Sequence, residues 1–185
     1  MASPAEQIDS RPARFMTWFA LVFAIATAAA YLLLKLSQGD VLLNVFTVAF
    51  VAAYLVALAV LLALSLMHRW SGAVRLSLRA AASGGLLVLG VIAIFSIGLP
   101  LVIAGAMATG ATVRTLRGPF VTRSSLSAVA AAVVAVAVLV AGFEVTERLI
   151  VCPDHGTVTG GGSGFVTGQY QFACVEGRLT FHSGS

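Results

Sequence analysis

The sequence predicts an all-α integral membrane protein with four hydrophobic helical segments and a small β-hairpin-rich tail at its C-terminus. Of the 185 residues, 59% are hydrophobic and 10% are charged, whereas about a quarter of the residues in a soluble domain are charged. The mean hydropathy is +1.01. The segments are also apolar on all sides rather than along one stripe, a pattern typical of helices surrounded by lipid.

The hydrophobic segments cover residues 15–36, 41–67, 83–113 and 126–143. We therefore divide the chain into a mobile polar tail (residues 1–13), a transmembrane helical bundle (14–143) and a small extracytoplasmic β-rich tail (144–185). The first segment follows Arg11 and Arg14. Basic residues before an apolar run are typical of a cleaved signal peptide and also of an uncleaved membrane anchor. Its apolar run exceeds the roughly 7 to 15 residues of a signal peptide, which favours the anchor.

The third segment is too long for one ordinary crossing. As a single helix, residues 83–113 would measure about 46 Å at 1.5 Å per residue, against a hydrocarbon core of about 30 Å. Pro100 lacks a backbone N–H, so a helix break is expected at Gly98 and Pro100. The segment either crosses once, strongly kinked, or turns at this break and returns as a re-entrant hairpin.

The arginines distinguish these two topologies. Among the basic residues near the spans, eight lie on one side of the membrane and Lys35 and Arg148 on the other if the third segment returns; if it crosses once, the division is six to four. The positive-inside rule favours the first arrangement, with a cytoplasmic N-terminus and an extracytoplasmic C-terminus. The arginines that carry this argument in the two connections are Arg69, Arg75, Arg79, Arg114, Arg117 and Arg123. Residues 68–80, which include Trp70, are expected to lie along the membrane surface.

The tail contains one clear hairpin, and two further short strands, residues 157–159 and 165–167, are predicted before it on either side of a flexible glycine-rich run, GGGSG (160–164). Residues 169–181 alternate apolar and polar side chains about Glu176 and Gly177, which supply the turn. An exported tail favours a Cys152–Cys174 disulfide, worth roughly 3 kcal/mol for a loop of about 20 residues. Two alternatives stay open: a zinc site formed by these cysteines with His155 and His182, and two cysteines with neither role.

Small residues recur at helical spacing in two of the segments. Spacings of four place Ala49, Ala53 and Ala57 on one side of the second segment, and Ala128 and Ala132 on one side of the last. Such spacing allows helix backbones to approach closely in lipid, so these alanines are predicted to pack against other helices.

The composition of the sequence favours a structural function over a catalytic one. No Asp, Glu, Arg or His lies in the middle of a predicted span, where ion pathways need such groups. No nucleotide-binding, zinc-protease or serine-hydrolase motif is found. We predict a non-enzymatic accessory or structural subunit of a bacterial inner-membrane complex, without a cofactor. Its expected partners are the lipid bilayer and other membrane-protein subunits, not nucleic acid. The alternatives are a small transporter or channel using the Pro100 break, and a membrane enzyme using Cys152, His155 or His182.

Overall fold

The structure, a computed structural model, describes residues 11–38, 45–67, 69–94, 98–116, 121–146, 149–152, 154–164 and 168–183. Helices in these ranges are α1 (Arg11–Gln38), α2 (Val45–Leu66), α3 (Gly72–Ile92), α4 (Gly98–Leu116) and α5 (Val121–Thr146). The strands are β1 (Thr157–Gly164), β2 (Gly168–Val175) and β3 (Arg178–Ser183).

Four of the described helices are long and apolar enough to cross a membrane, and three of them coincide with predicted hydrophobic segments. The candidate spans are Pro12–Ser37, Phe46–Leu66, Gly72–Ile92 and Ser125–Thr146, and Gly98–Arg114 is a shorter apolar helix. The chain folds as two compact units. The first comprises Met1–Tyr31 and Tyr54–Leu139, and the second comprises Leu32–Ala53 and Val140–Ser185.

In the first unit, α3 and α4 form an antiparallel helical hairpin. A Cβ placed on Gly90 would lie 2.8 Å from the Val102 nitrogen, and one placed on Gly105 would lie 3.0 Å from the Leu87 nitrogen. Residue numbers therefore fall along α3 as they rise along α4, so the two helices run in opposite directions. Residues 83–113 are consequently two packed helices and not one kinked helix.

The break between these helices lies before Pro100, which occupies the first turn of α4. Proline is tolerated there because the first N–H groups of a helix have no intrahelical acceptor. The Gly98 nitrogen donates a hydrogen bond to the Ala93 carbonyl oxygen at 2.8 Å. A Cβ on Gly98 would overlap the Gly90 carbonyl oxygen, so the turn depends on a glycine at this position.

Helix α3 begins at Gly72, well before the start expected near residue 83. The surface segment predicted at 68–80 is therefore helical from Gly72, while residue 68 lies outside the described residues. Residues 73–82 are rich in alanine, leucine and arginine, which are good helix formers. Leu76 and Ala80 are buried against Ala128, so this part of α3 belongs to the helical core.

Helices α2, α3 and α5 meet around two adjacent glycines of α3. The Tyr54 hydroxyl donates a hydrogen bond to the Ala135 carbonyl oxygen at 2.8 Å. A Cβ on Gly85 would lie 2.6 Å from that hydroxyl oxygen, and a Cβ on Gly84 would lie 3.1 Å from the Ala132 Cβ. Small residues thus bring the three helices close together, as is typical of packing in lipid.

The second unit contains a helix contact and the sheet. Phe50 and Phe143 pack edge to face with ring centroids 5.8 Å apart, and Gly142 faces the Phe50 ring. The sheet is antiparallel with the order β1-β2-β3. Its β2–β3 hairpin turns at Glu176 and Gly177, as predicted, and both residues have positive φ (47° and 75°), which is the signature of a type I′ turn.

Strand β1 differs from the sequence-based expectation. Residues 160–164, with the sequence GGGSG, were expected to be a flexible spacer between short strands, but they pair with β2 as far as Gly164 opposite Gly168. The Phe172 ring lies against Gly160 and covers its backbone, an arrangement that stabilises glycine in strands. The other predicted short strand, residues 165–167, lies outside the described residues.

Candidate functional site

Two arginines near the start of α3 are buried in the first unit. Arg75 and Arg79 are one turn apart and share a helix face, with exposed fractions of 5% and 1%. The Arg75 Nε donates a hydrogen bond to the Ser65 carbonyl oxygen at 3.0 Å. The Arg79 Nε lies 3.4 Å from the Ser65 hydroxyl oxygen, which accepts from it. Both guanidinium groups therefore contact the same residue of α2.

The position of Ser65 explains why two charged side chains are tolerated inside the protein. Ser65 is the second-last residue of α2, and the last carbonyls of a helix lack intrahelical partners and carry partial negative charge. Arg75 supplies both a donor and a positive charge there. We interpret Arg75 as a cap on the C-terminus of α2, provided by the next helix along the chain, with Arg79 contacting the Ser65 side chain beside it.

The other arginines predicted to set the topology lie in different surroundings. Arg69 and Arg114 are exposed, and the Arg114 Nη1 lies 3.7 Å from the Met16 Sδ. Arg117 and the side chain of Arg123 lie outside the described residues. The topological role of these arginines remains a prediction. Sequence reasoning missed Ser65, a polar residue two positions before the end of the apolar run 41–67 and followed by an arginine-rich helix.

Cys152 and Cys174 form a disulfide, with Cα atoms 5.5 Å apart. In this oxidised form neither sulfur is a thiolate, the form that zinc binds. His155 and His182, the other members of the alternative metal set, are exposed. Within the described ranges, no group of three or more His, Cys, Asp or Glu side chains is placed to hold a metal ion.

The sheet has two chemically different faces. Cross-strand partners share a face, and Val158, Cys174 and Leu179 are opposite one another, as are Gly160 and Phe172, and Gly162 and Tyr170. Cys174 is fully buried, and the other side chains of this apolar face are partly buried. The opposite face is mostly polar and exposes Thr157, Thr159, Gln169, Gln171, Arg178, Thr180 and His182, together with Val175, which is 48% exposed.

The alanines predicted to pack against other helices fall into two groups. Ala128 is 3% exposed and lies with Leu76 and Ala80, and Ala132 faces Gly84. In contrast, Ala49, Ala53 and Ala57 are exposed along the outer side of α2. The first group lies at a contact within the chain, and the second group leaves a smooth helix face open to lipid or to another protein.

These features define a class: a multi-helix protein with apolar helices of membrane length and a small disulfide-bonded sheet after the last helix. No family model, curated protein or solved structure matches the chain. The chemistry of the side chains therefore carries the functional argument.

Proposed function

We propose that the chain is a non-catalytic accessory or structural subunit of a larger assembly in the inner membrane of a bacterium. In this proposal the helices dock against other subunits within the bilayer, and the stapled tail contacts an exported partner. The N-terminus lies in the cytoplasm and the C-terminus lies outside.

The proposal is supported chiefly by the large apolar surface that the helices leave unused within the chain. The shares of residues buried in the candidate spans of α1, α2 and α5 are 28%, 33% and 17%, against 61% for α3. Apolar side chains that face outward need either lipid or protein around them. The exposed face of α2 that carries Ala49, Ala53 and Ala57 is smooth enough for another helix to approach closely.

The dimensions of the α3–α4 hairpin support the proposed topology. At 1.5 Å per residue, the lengths of α3 and α4 correspond to about 31 Å and 28 Å, close to the hydrocarbon thickness of about 30 Å. Of the two legs, α3 is a candidate span and the apolar part of α4, Gly98–Arg114, is shorter, whereas equal halves of residues 83–113 would both be too short. A hairpin that crosses twice and one that is re-entrant both return the chain to its starting side, so α5 leads outward in either case.

In-cell photocrosslinking tests the subunit hypothesis. A photoreactive residue at Ala53 should give a discrete heavier product, while one at Val133, an exposed position on α5, serves as a matched control. Extraction in mild detergent followed by native mass measurement should then recover the chain with a companion. A monomer without a companion, together with no product at Ala53, would overturn the hypothesis.

A transporter or channel is the second candidate, and the helix break before Pro100 is the observation that favours it. Broken helices line substrate paths in many carriers because the interrupted backbone exposes polar groups at membrane depth. Purified protein in liposomes would be assayed for ion and solute flux, with a Pro100→Ala variant as the comparison. Flux that falls in this variant would favour the transporter, and absence of flux in the parent chain would remove it.

A further inference from the structure

The two faces of the sheet differ enough to call it amphipathic. One face, which we term the aromatic face, carries Val158, Tyr170, Phe172, Cys174 and Leu179. On the polar face, the threonine, glutamine, arginine and histidine side chains are exposed. A sheet with one apolar and one polar face normally packs its apolar face on a core. In a three-stranded sheet no second sheet supplies this core, so the apolar face needs another surface against it.

The segment that joins α5 to the sheet contains exposed apolar side chains. Leu149 and Val151 have exposed fractions of 46% and 45%, and both lie within three residues of Cys152. Exposed apolar side chains in a connection between two elements are unfavourable in water, at about 25 cal/mol per Å². Neighbouring exposed apolar side chains such as these are typical of a segment in contact with another apolar phase.

The disulfide joins this connector to the aromatic face. Cys174 lies on the same face as Tyr170 and Phe172, because side chains at alternate positions of a strand point to one side. Its partner Cys152 therefore reaches the sheet from that side. Cys152 follows the last residue of α5, Thr146, by six positions, which an extended chain spans in at most about 21 Å.

We propose that the aromatic face lies on the outer surface of the lipid bilayer, with its side chains at headgroup level and its polar face in water. The short tether keeps the sheet beside the end of α5, a candidate membrane span, and the exposed side chains of Leu149 and Val151 lie close in sequence to the disulfide that joins the tether to the aromatic face. This closeness to a candidate span favours lipid over a protein partner as the occupant. Tyrosine suits this depth because its ring is apolar and its hydroxyl is polar.

The inference rests on the proposed membrane insertion of the helices. It also limits the surfaces of the sheet that an exported partner is able to contact. If the aromatic face contacts lipid, an exported partner has the polar face and the outer edge of β1 available to it. Strand β1 is an edge strand, so its outward backbone groups are able to pair with an added strand.

Tryptophan scanning with brominated lipids tests this orientation in the full-length chain. Trp18 and Trp70 are first replaced by phenylalanine. Four variants are then made, each with a single new tryptophan, in two matched pairs. Tyr170→Trp and Leu179→Trp report the aromatic face, whereas Gln171→Trp and Thr180→Trp report the polar face one residue away. The protein is placed in liposomes whose lipids carry bromine near the top of the acyl chains.

The proposal predicts blue-shifted emission and loss of most fluorescence at positions 170 and 179, with little loss at 171 and 180. Similar quenching within each pair would overturn it. Blue-shifted emission at 170 and 179 without quenching would also overturn it, because that result means a protein partner or a second copy covers the face. An intact disulfide, shown by thiol blocking before gel analysis, verifies the fold of each variant. Protein that leaves the liposomes in an alkaline wash would contradict the proposed membrane insertion itself.

Discussion

The α3–α4 hairpin and the C-terminal sheet are stabilised by different interactions. The hairpin depends on close backbone contact, with Gly90, Gly98 and Gly105 positioned where a Cβ would meet the opposite leg. The sheet depends on a disulfide and a tight turn. This difference follows from the solvent each region is proposed to occupy. Burial of apolar groups drives no helix association in lipid, so packing must do so, whereas a small exported domain lacks a sufficient core and needs a covalent staple.

Removal of the disulfide should lower the stability of the sheet and leave that of the helices unchanged, which is the largest difference expected between the two regions. In the double variant Cys152→Ser and Cys174→Ser, the sheet should lose about 2–5 kcal/mol, because the unfolded tail is no longer restricted. Hydrogen exchange of the full chain in detergent should then show fast exchange in β1 to β3 and unchanged exchange in α2 to α4. Equal loss of protection in both regions would mean that sheet and helices fold as one cooperative element.

Loss of the Arg75 guanidinium should lower the stability of the helices and leave that of the sheet unchanged. Arg75→Met removes a charged donor from the Ser65 carbonyl oxygen and should cost about 1.5–3 kcal/mol. Arg69→Met, at an exposed position on the same connection, is the matched control and should change stability by no more than about 0.5 kcal/mol. Thermal unfolding in detergent measures both variants. An Arg75 variant as stable as the Arg69 variant would show that the cap on α2 contributes nothing.

Two glycines test whether close approach stabilises the hairpin. Gly90→Ala places a Cβ within 2.8 Å of the opposite backbone, while among the described residues the Cβ of Gly110→Ala meets only the Met16 Sδ, at 3.9 Å. Both changes gain the same helix propensity, about 1 kcal/mol, so their difference isolates the contact. Gly90→Ala should be less stable than Gly110→Ala by about 1–3 kcal/mol in the same unfolding assay. Equal stabilities would contradict the close packing of α3 on α4.

The smallest expected effect lies in the turn of the β2–β3 hairpin. Glu176 has a positive φ of 47°, a conformation that costs ordinary residues about 1–2 kcal/mol and asparagine less. Glu176→Asn should therefore stabilise the sheet by about 1 kcal/mol or less, with Glu176→Gln as the control of similar size. Hydrogen exchange across β2 and β3 measures the change. Slower exchange in the glutamine variant than in the asparagine variant would refute the turn assignment.

Local sequence patterns predicted much of the structure of the helices and of the C-terminal sheet. The hydropathy of the helices follows from composition, and the β2–β3 hairpin follows from alternation around Glu176 and Gly177. The strand character of residues 160–164 was missed because glycine has low strand propensity, and the compensation comes from Phe172 on the next strand. Residues 160–164 form a strand because they pair with β2, and the glycine-rich run alone does not predict this pairing.

The start of α3 was missed for a related reason. Arg75 and Arg79 are usually signs of a water-facing segment, and only the tertiary contact with Ser65 shows that they point inward. The contacts of Gly84, Gly85 and Gly105 likewise depend on which helices become neighbours. A glycine inside a helical pattern is a signal of close packing, but it does not name the residue it packs against.

The central claim is that the α3–α4 hairpin returns the chain to the side on which it entered, so α5 carries the sheet outward. A reporter that is active only outside the cytoplasm, fused after Ser185, tests this claim most directly, alongside a second fusion with a reporter active only in the cytoplasm. We expect activity from the first fusion and none from the second. Activity from the cytoplasmic reporter alone would contradict the topology and the proposed contact between the aromatic face and the outer leaflet.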